Sequence, residues 1–323
     1  YDLNGKSVGS IEYSEEASSC DYNEVEISCD TSSLPINIHS TMEADDEGGL
    51  LAIIQYVESF QEFSNACQPN LKYGQFLIKS LDNGVIYEIF PITEFCIDFG
   101  PDGNLYIPVG VPCNICLEPQ TKDKRFAAIH KYVDGELVTV ADGVRNSVGF
   151  DWHPVTKKMY FSDNGRDWLG DDSPDCELNV INTEGSFFGY PFKHAKNVID
   201  PEFGHLMPSI DREFVDPIAE LGPHVAPLGI AFYDKDIFPV KYRNSIFVAL
   251  HGSWNRTKKS GYTVVFVKLD DDGNYLYQED FITGWLSNES AWGRPVSPYI
   301  MNDGSMLLSD DKYNVIYRVT YKG

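Results

Sequence analysis

Phe99-Gly-Pro-Asp-Gly-Asn-Leu-Tyr106 reads as the end of one strand, a polar turn and the start of the next. The same layout returns in Trp152-His-Pro-Val-Thr-Lys-Lys-Met-Tyr160 and in Ile300-Met-Asn-Asp-Gly-Ser-Met-Leu307. Around these units lie short β-rich runs bounded by Gly, Asp and Asn, among them Phe126 to Tyr132, Glu136 to Ala141, Ser245 to Leu250 and Tyr262 to Leu269. Self-similarity at a spacing of roughly 50 to 70 residues, with no long helix between, predicts radial repetition of small antiparallel sheets, the β-propeller. A β-sandwich accounts equally well for the alternation but does not require the recurring turn unit.

The first 70 residues differ in character and are read as a divergent acidic segment packed on or completing a propeller over 71–323. Glu12 to Asp46 is acidic and rich in Ser, and Leu50, Leu51, Ile54, Val57 and Phe60 recur at helical spacing, which predicts one helix within Gly48 to Cys67. Lys193 to Glu220, rich in Pro and Asp, reads as a long insertion between strands, either a binding wall or a surface crossover.

With 25 Lys and Arg against 49 Asp and Glu, the formal charge is −24, which argues against nucleic acid or an anionic membrane as a partner. No apolar run is long enough to span a bilayer. Seven cysteines are compatible with an oxidising compartment, and Asn255-Arg-Thr257 and Asn288-Glu-Ser290 fit the N-glycosylation pattern, so a secreted or luminal glycoprotein is expected.

Polar residues concentrate in Ser162 to Asn179, where Asp167, Asp171, Asp172, Asp175 and Glu177 fall in a stretch read as too rich in turns for a regular strand. Hard oxygen ligands on a loop suit calcium, and a solvated acidic loop is the alternative. Arg145 and Asn146 enter a strand from a Gly turn, and His251 to Arg256 and Trp292 to Arg294 bring cations and aromatics to strand ends. Loops at such ends converge on a propeller's channel. Bracing of the blade junctions is the competing role for Arg145, Trp152, Trp254 and Arg294. Cys113-Asn-Ile-Cys116 fits a local disulfide or buried thiols better than zinc, because no second pair of this spacing exists. His224 and His251 read as hydrogen-bonded strand-end residues, and His153 as structural.

Taken together, these stretches, with Leu221-Gly-Pro-His-Val-Ala-Pro-Leu-Gly229 and Leu308-Ser-Asp-Asp311, resemble the sorbosone dehydrogenase group of pyrroloquinoline-quinone-dependent sugar dehydrogenases. The resemblance runs from about Phe95 to Tyr321. It implies a six-bladed propeller with quinone and calcium over the channel mouth. Arg145 and Asn146 match the residues that hold the quinone's carboxylates and carbonyls, Arg294 matches the arginine closing the other side, and Gly165 and Arg166 match the loop whose carbonyls ligate calcium. The implied reaction is hydride removal from a sugar or sugar aldehyde, assisted by a histidine.

Two departures qualify that implication. The stretch expected to carry the histidine reads Phe90-Pro-Ile-Thr-Glu-Phe-Cys-Ile-Asp98, with Pro91 or Ile92 in its place and Glu94 as a nearby substitute. About one blade of sequence is also missing upstream, so five blades are the alternative to six. Two functions are therefore carried forward: a quinone-dependent sugar dehydrogenase, active or degenerate, and a non-catalytic propeller binding carbohydrate or protein.

Overall fold

The computed structural model describes residues 97–321 and, among the first 96 residues, the backbone of the strands. The chain divides into two compact units, 1–92 and 93–323. In the first unit, Leu50–Val57 pairs with Gly74–Ser80, which pairs in turn with Ile86–Pro91. Ser19–Asn23 and Glu26–Asp30 form a separate hairpin that sets Cys20 opposite Cys29. The helix expected within Gly48 to Cys67 is thus a strand over Leu50–Val57. Leu-Leu-Ala-Ile-Ile-Gln-Tyr-Val satisfies helical spacing only because it is apolar almost throughout, and its β-branched residues with a paired neighbour favour the extended form.

Four larger, mainly antiparallel sheets follow one another in the second unit, besides two two-stranded pairs among the described residues. Sheet I orders Asp98–Phe99, Leu105–Val109, Ala128–Val133 and Glu136–Asp142, with Ser186–Phe187 added in parallel at its edge. Sheet II orders Phe150–Trp152, Met159–Asp163, Asp175–Val180 and Ala219–Pro223. Sheet III runs Pro227–Tyr233, Ser245–Leu250, Thr263–Leu269 and Tyr275–Ile282, and sheet IV runs Pro295–Ile300, Met306–Asp310 and Val315–Val319. Asp175–Val180 corrects the reading of Ser162 to Asn179 as turn throughout: Cys176, Glu177, Leu178, Asn179 and Val180 are all buried in a central strand.

The three repeated turn units are the hairpins between the first two strands of sheets I, II and IV. In sheets I and IV the bonding is the same: Gly100 N–H donates to Asn104 O and Gly103 N–H to Gly100 O, as Met301 does to Ser305 and Gly304 to Met301. The sequence repeat is therefore a repeated turn geometry.

The first strands of sheets II, III and IV pack on one another through backbone. A Cβ on Gly149 would lie 2.2 Å from Leu228 O, and one on Gly229 would lie 2.7 Å from Ser297 Cα. Glycine is required where main chains approach this closely. Outward from there, rings fill the gaps between sheets: Tyr160, Phe232 and His153 between II and III, and Tyr233, Phe238 and Phe247 with Met306 and Leu308 between III and IV. Ser245–Leu250 is buried along its whole length, as expected of a strand covered on both faces.

Candidate functional site

Arg145 and Asn146 lie in the loop that leads into sheet II. Their backbone N–H groups donate to the two carboxylate oxygens of Asp163, at 2.9 and 2.7 Å, at the far end of the adjacent strand. The guanidinium donates through Nε to Asn114 O (2.9 Å), through Nη2 to Asn114 Oδ1 (3.1 Å) and through Nη1 to Asn164 O (3.0 Å). Two of the five N–H groups of a guanidinium remain. The Asn146 Oδ1 atom is buried without a hydrogen-bond partner among the described residues. A Cβ on Gly110 would lie 2.4 Å from it, so only glycine leaves that oxygen room.

Arg294 repeats the device in sheet IV. Its N–H donates to Asp310 Oδ1 (3.0 Å), its Nε to His251 O (3.1 Å) and its Nη2 to Gly252 O (2.6 Å), while its head lies 5.6 Å from the centre of the Tyr262 ring. Asp163 and Asp310 each follow a serine at the end of a second strand, and each pins the entry of the first. Both arginines are half-buried, and among the described residues neither has a carboxylate within ion-pair distance. In a chain of charge −24 this is an unusual condition for an arginine.

The loops carrying these residues are bonded into one continuous surface. Asn164 donates to Pro227 O, His251 N–H to Ala226 O and Gly252 N–H to Val225 O, linking sheets II and III, and Arg294 closes onto His251 and Gly252 from sheet IV. Arg256 reaches Asp171 O (2.8 Å) and Asp172 (2.6 Å). Arg145, Asn146, Gly165 and Arg294 thus belong to one network of strand-end loops. Exposed aromatics stand on the same loops: Trp168 (71 % exposed), Trp254 (65 %), Trp292 (46 %) and Tyr313, which meets Trp292 edge to face at 5.6 Å. Trp254 therefore stands largely in solvent, whereas Trp152 packs against Tyr106 and Phe150.

The Arg166 side chain turns into the protein. It is buried in an ion network with Asp200 (2.6 Å) and Glu202 (3.1 Å), and His194 shares the Asp200 carboxylate at 2.8 Å. His194 and Asp200 come from the Lys193 to Glu220 insertion, which thereby anchors the loop from beneath. The five acids of the loop do not converge. Asp171 and Asp172 hold Arg256 and Thr257, Asp167 lies 3.5 Å from His224, Glu177 accepts Ala195 N–H (2.7 Å), and no group of three acidic, His or Cys side chains able to hold a metal occurs among the described residues.

Asp163, which accepts the Arg145 N–H, is one of two neighbouring buried carboxylates. Asp163 and Glu177 are cross-strand neighbours. Burial raises Asp163 to about 6, opposed by the N–H groups of Asn146 and Arg145. Burial, with the Asp163 charge adding to it, raises Glu177 to about 8, which favours the protonated acid at neutral pH. Cys176, beside Glu177, is a buried free thiol, held up to about 11 by burial.

His251 is half-buried beside Arg294, and its Nε2 lies 2.9 Å from Asp311 Oδ1. Desolvation and the Arg294 charge lower its pKa, against the pull of Asp311. His153 is structural as expected, its Nδ1 accepting the N–H groups of Val155 and Thr156. His224 bonds Gly170 O at 2.8 Å. Residues 92–96, where the histidine expected near Ile92 and the Glu94 alternative fall, lie outside the described residues. Sequence reasoning singled out the cysteines of Cys113-Asn-Ile-Cys116, which form a disulfide, but passed over Asn114 between them and the two pinning aspartates. The Ser-Asp repeat at Ser162-Asp163 and Ser309-Asp310 was the available signal for the latter.

The fold is the propeller-like fold of sugar dehydrogenases. The chain superimposes on a calcium structure of Trichoderma reesei carbohydrate-active enzyme family AA12 with a TM-score of 0.58 and 15 % identity, covering 94 % of this chain and 92 % of that one. It matches the holo form of the pyranose dehydrogenase PQQ domain of Coprinopsis cinerea with a TM-score of 0.56 and 17 % identity, over 83 % and 79 % of the two chains. The TrAA12-like family profile matches residues 209–322. An uncharacterized protein of Borreliella burgdorferi is 41 % identical over 226 residues, or 68 % of this chain, and the match spans 58 % of that relative's length.

Proposed function

We propose that this protein is a sugar oxidoreductase that holds a planar, polyanionic quinone of the pyrroloquinoline type between Arg145 and Arg294 and acts on a sugar or sugar aldehyde. The observation that carries this reading is the pair of half-buried guanidiniums, aimed by backbone carbonyls and lacking carboxylate partners among the described residues. Charge of that kind is stabilised by an anionic guest, and Arg is suited to carboxylates through its planar fork. The orphaned Asn146 Oδ1 adds a buried polar position that a guest would satisfy. The residues present fit such a group. With the side-chain acids dispersed, a calcium ion would be held by the Gly165 and Arg166 carbonyls.

Bound quinone would supply hydride-accepting chemistry, with the cation polarising its carbonyl. The chain's own part is orientation and proton transfer. Asp311 accepts from His251 Nε2–H, which leaves the Nδ1 lone pair free, and the lowered pKa keeps the ring neutral near pH 7. His251 Nδ1 is the proton acceptor we assign in place of the histidine absent near Ile92. Trp168, Trp254 and Trp292 offer flat apolar faces for sugar rings. We also propose six blades, with five the alternative, and a secreted or luminal setting, the latter supported by the Cys113–Cys116 disulfide.

The second reading, a carbohydrate-binding propeller without catalysis, is favoured by the missing histidine. Titrating the purified protein with quinone and calcium, followed by dye reduction over a panel of aldoses, separates the two. Quinone binding with turnover supports the oxidoreductase. Binding without turnover supports the degenerate form, and absence of binding refutes the assignment of Arg145 and Arg294.

A further inference from the structure

The Cys113–Cys116 disulfide encloses only Asn114 and Ile115, and Asn114 makes four hydrogen bonds across the site. Its Oδ1 accepts from Arg145 Nη2 (3.1 Å) and from Asp167 N (2.6 Å), its Nδ2 donates to Asp167 O (3.0 Å), and its main-chain O accepts from Arg145 Nε (2.9 Å). These bonds reach loops 31 and 53 residues away in the chain. One short segment thereby sets both the guanidinium of Arg145 and the backbone that follows Arg166. Residues 110–117 belong to no strand or helix, so no backbone ladder holds Asn114 in place. Besides the disulfide, the segment is secured by Val111 N–H on Arg145 O (2.9 Å) and by Cys116 N–H on Tyr190 Oη (2.9 Å). Tyr190 is buried, and its own N–H donates to Gly143 O, two residues before Arg145.

We propose that Asn114 is a positioning residue for Arg145 and for the loop at Gly165 to Asp167, and that the disulfide makes anion binding at Arg145 dependent on redox state. A dithiol reductant attacks one sulfur, forms a mixed disulfide and leaves as its own cyclic disulfide, with Cys113 and Cys116 each gaining a proton as thiols. An open depression of about 480 Å³, lined by Ile115, Cys116, Leu117 and Phe203 among others, gives such a reductant its approach. With the crosslink gone, the closure entropy it removed is restored to the segment, and the carbonyl and amide of Asn114 lose their common mounting.

The binding arm of the test rests on the function proposed above, and the exchange arm does not. Amide hydrogen exchange is compared in wild type, wild type reduced with dithiothreitol, Asn114→Ala, Asn114→Asp and the Cys113→Ser/Cys116→Ser double variant. The Asp167 amide is expected to exchange at least roughly tenfold faster in Asn114→Ala and in the reduced protein, with Ser245–Leu250 unchanged. Asn114→Asp loses the Nδ2 donor to Asp167 O but keeps the oxygen that accepts the Asp167 N–H, and is expected to retain more of that amide's protection than Asn114→Ala. In titrations with pyrroloquinoline quinone followed by its absorbance, affinity falls about tenfold in Asn114→Ala and further on reduction. It also falls in Asn114→Asp, because a carboxylate then neutralises Arg145. That split between protection and affinity is not expected of a merely structural residue. Unchanged exchange at Asp167 in Asn114→Ala and on reduction overturns the proposal. Failure of the wild type to bind quinone overturns the proposed function, while the exchange comparison still decides the role of Asn114.

Discussion

Replacing Glu177 with Gln should flatten the dependence of stability on pH. Glu177 is buried opposite Asp163, and burial with that neighbour's charge raises it from 4.5 to about 8. In the unfolded chain it ionises near its ordinary value, so between those two values the folded state binds the extra proton. Stability from this group is therefore fully present below about pH 4.5 and declines as pH rises toward 8. At about 1.4 kcal/mol for each tenfold change in proton affinity, the loss by pH 8 is on the order of 4 kcal/mol. The surroundings suit a neutral side chain. Asn179 Oδ1 is buried without a partner while its Nδ2 lies 2.9 Å from Glu177 Oε2; turning that amide over would let it accept the proton of the acid, or an N–H of Gln. Urea unfolding of wild type and Glu177→Gln at a series of pH values from 5 to 8 measures the effect. The variant should be close to wild type at pH 5 and more stable at pH 8. Parallel curves for the two proteins would refute the assignment of a protonated Glu177.

Further expectations follow from the same geometry. Arg145→Ala or Arg294→Ala should weaken quinone binding by about a hundredfold, as loss of a charge-assisted pair of hydrogen bonds implies, measured by absorbance titration. His251→Asn should lower the rate of dye reduction by a factor of about 10² to 10⁴ with quinone affinity retained, and the wild-type rate should rise with pH through a value below 6.5 as the ring loses its proton. Gly229→Ala places a methyl 2.7 Å from Ser297 Cα and should cost about 3 kcal/mol or more, read as a lower Tm. Trp254→Ala should raise KM for sugars with little change in Tm, because its side chain stands in solvent.

Much of sheets I to IV is legible from local pattern. Ser245 to Leu250 was bounded by sequence alone as it occurs, since a short apolar run ending in polar residues needs no tertiary information. Tyr275–Ile282 was not recognised, because an outer strand with Glu279 and Asp280 turned toward solvent carries little of the apolar signal. Leu50–Val57 was mistaken for a helix for the opposite reason, a surplus of apolar residues that fits both periods.

The site divides along the same line. Arg145, Asn146, Gly165 and Arg294 were found from sequence because unusual residue types recur at strand ends in recognisable motifs. What the linear order does not contain is the company each keeps across 17 to 53 residues of chain: Asp163 under Asn146, Asn114 on Asp167, and carbonyls rather than carboxylates around both guanidiniums. A side chain's charge and shape belong to the residue. Whether that charge is cancelled, buried or left for a guest depends on which backbone dipoles and acids folding brings within a few ångströms, and only the tertiary structure decides that.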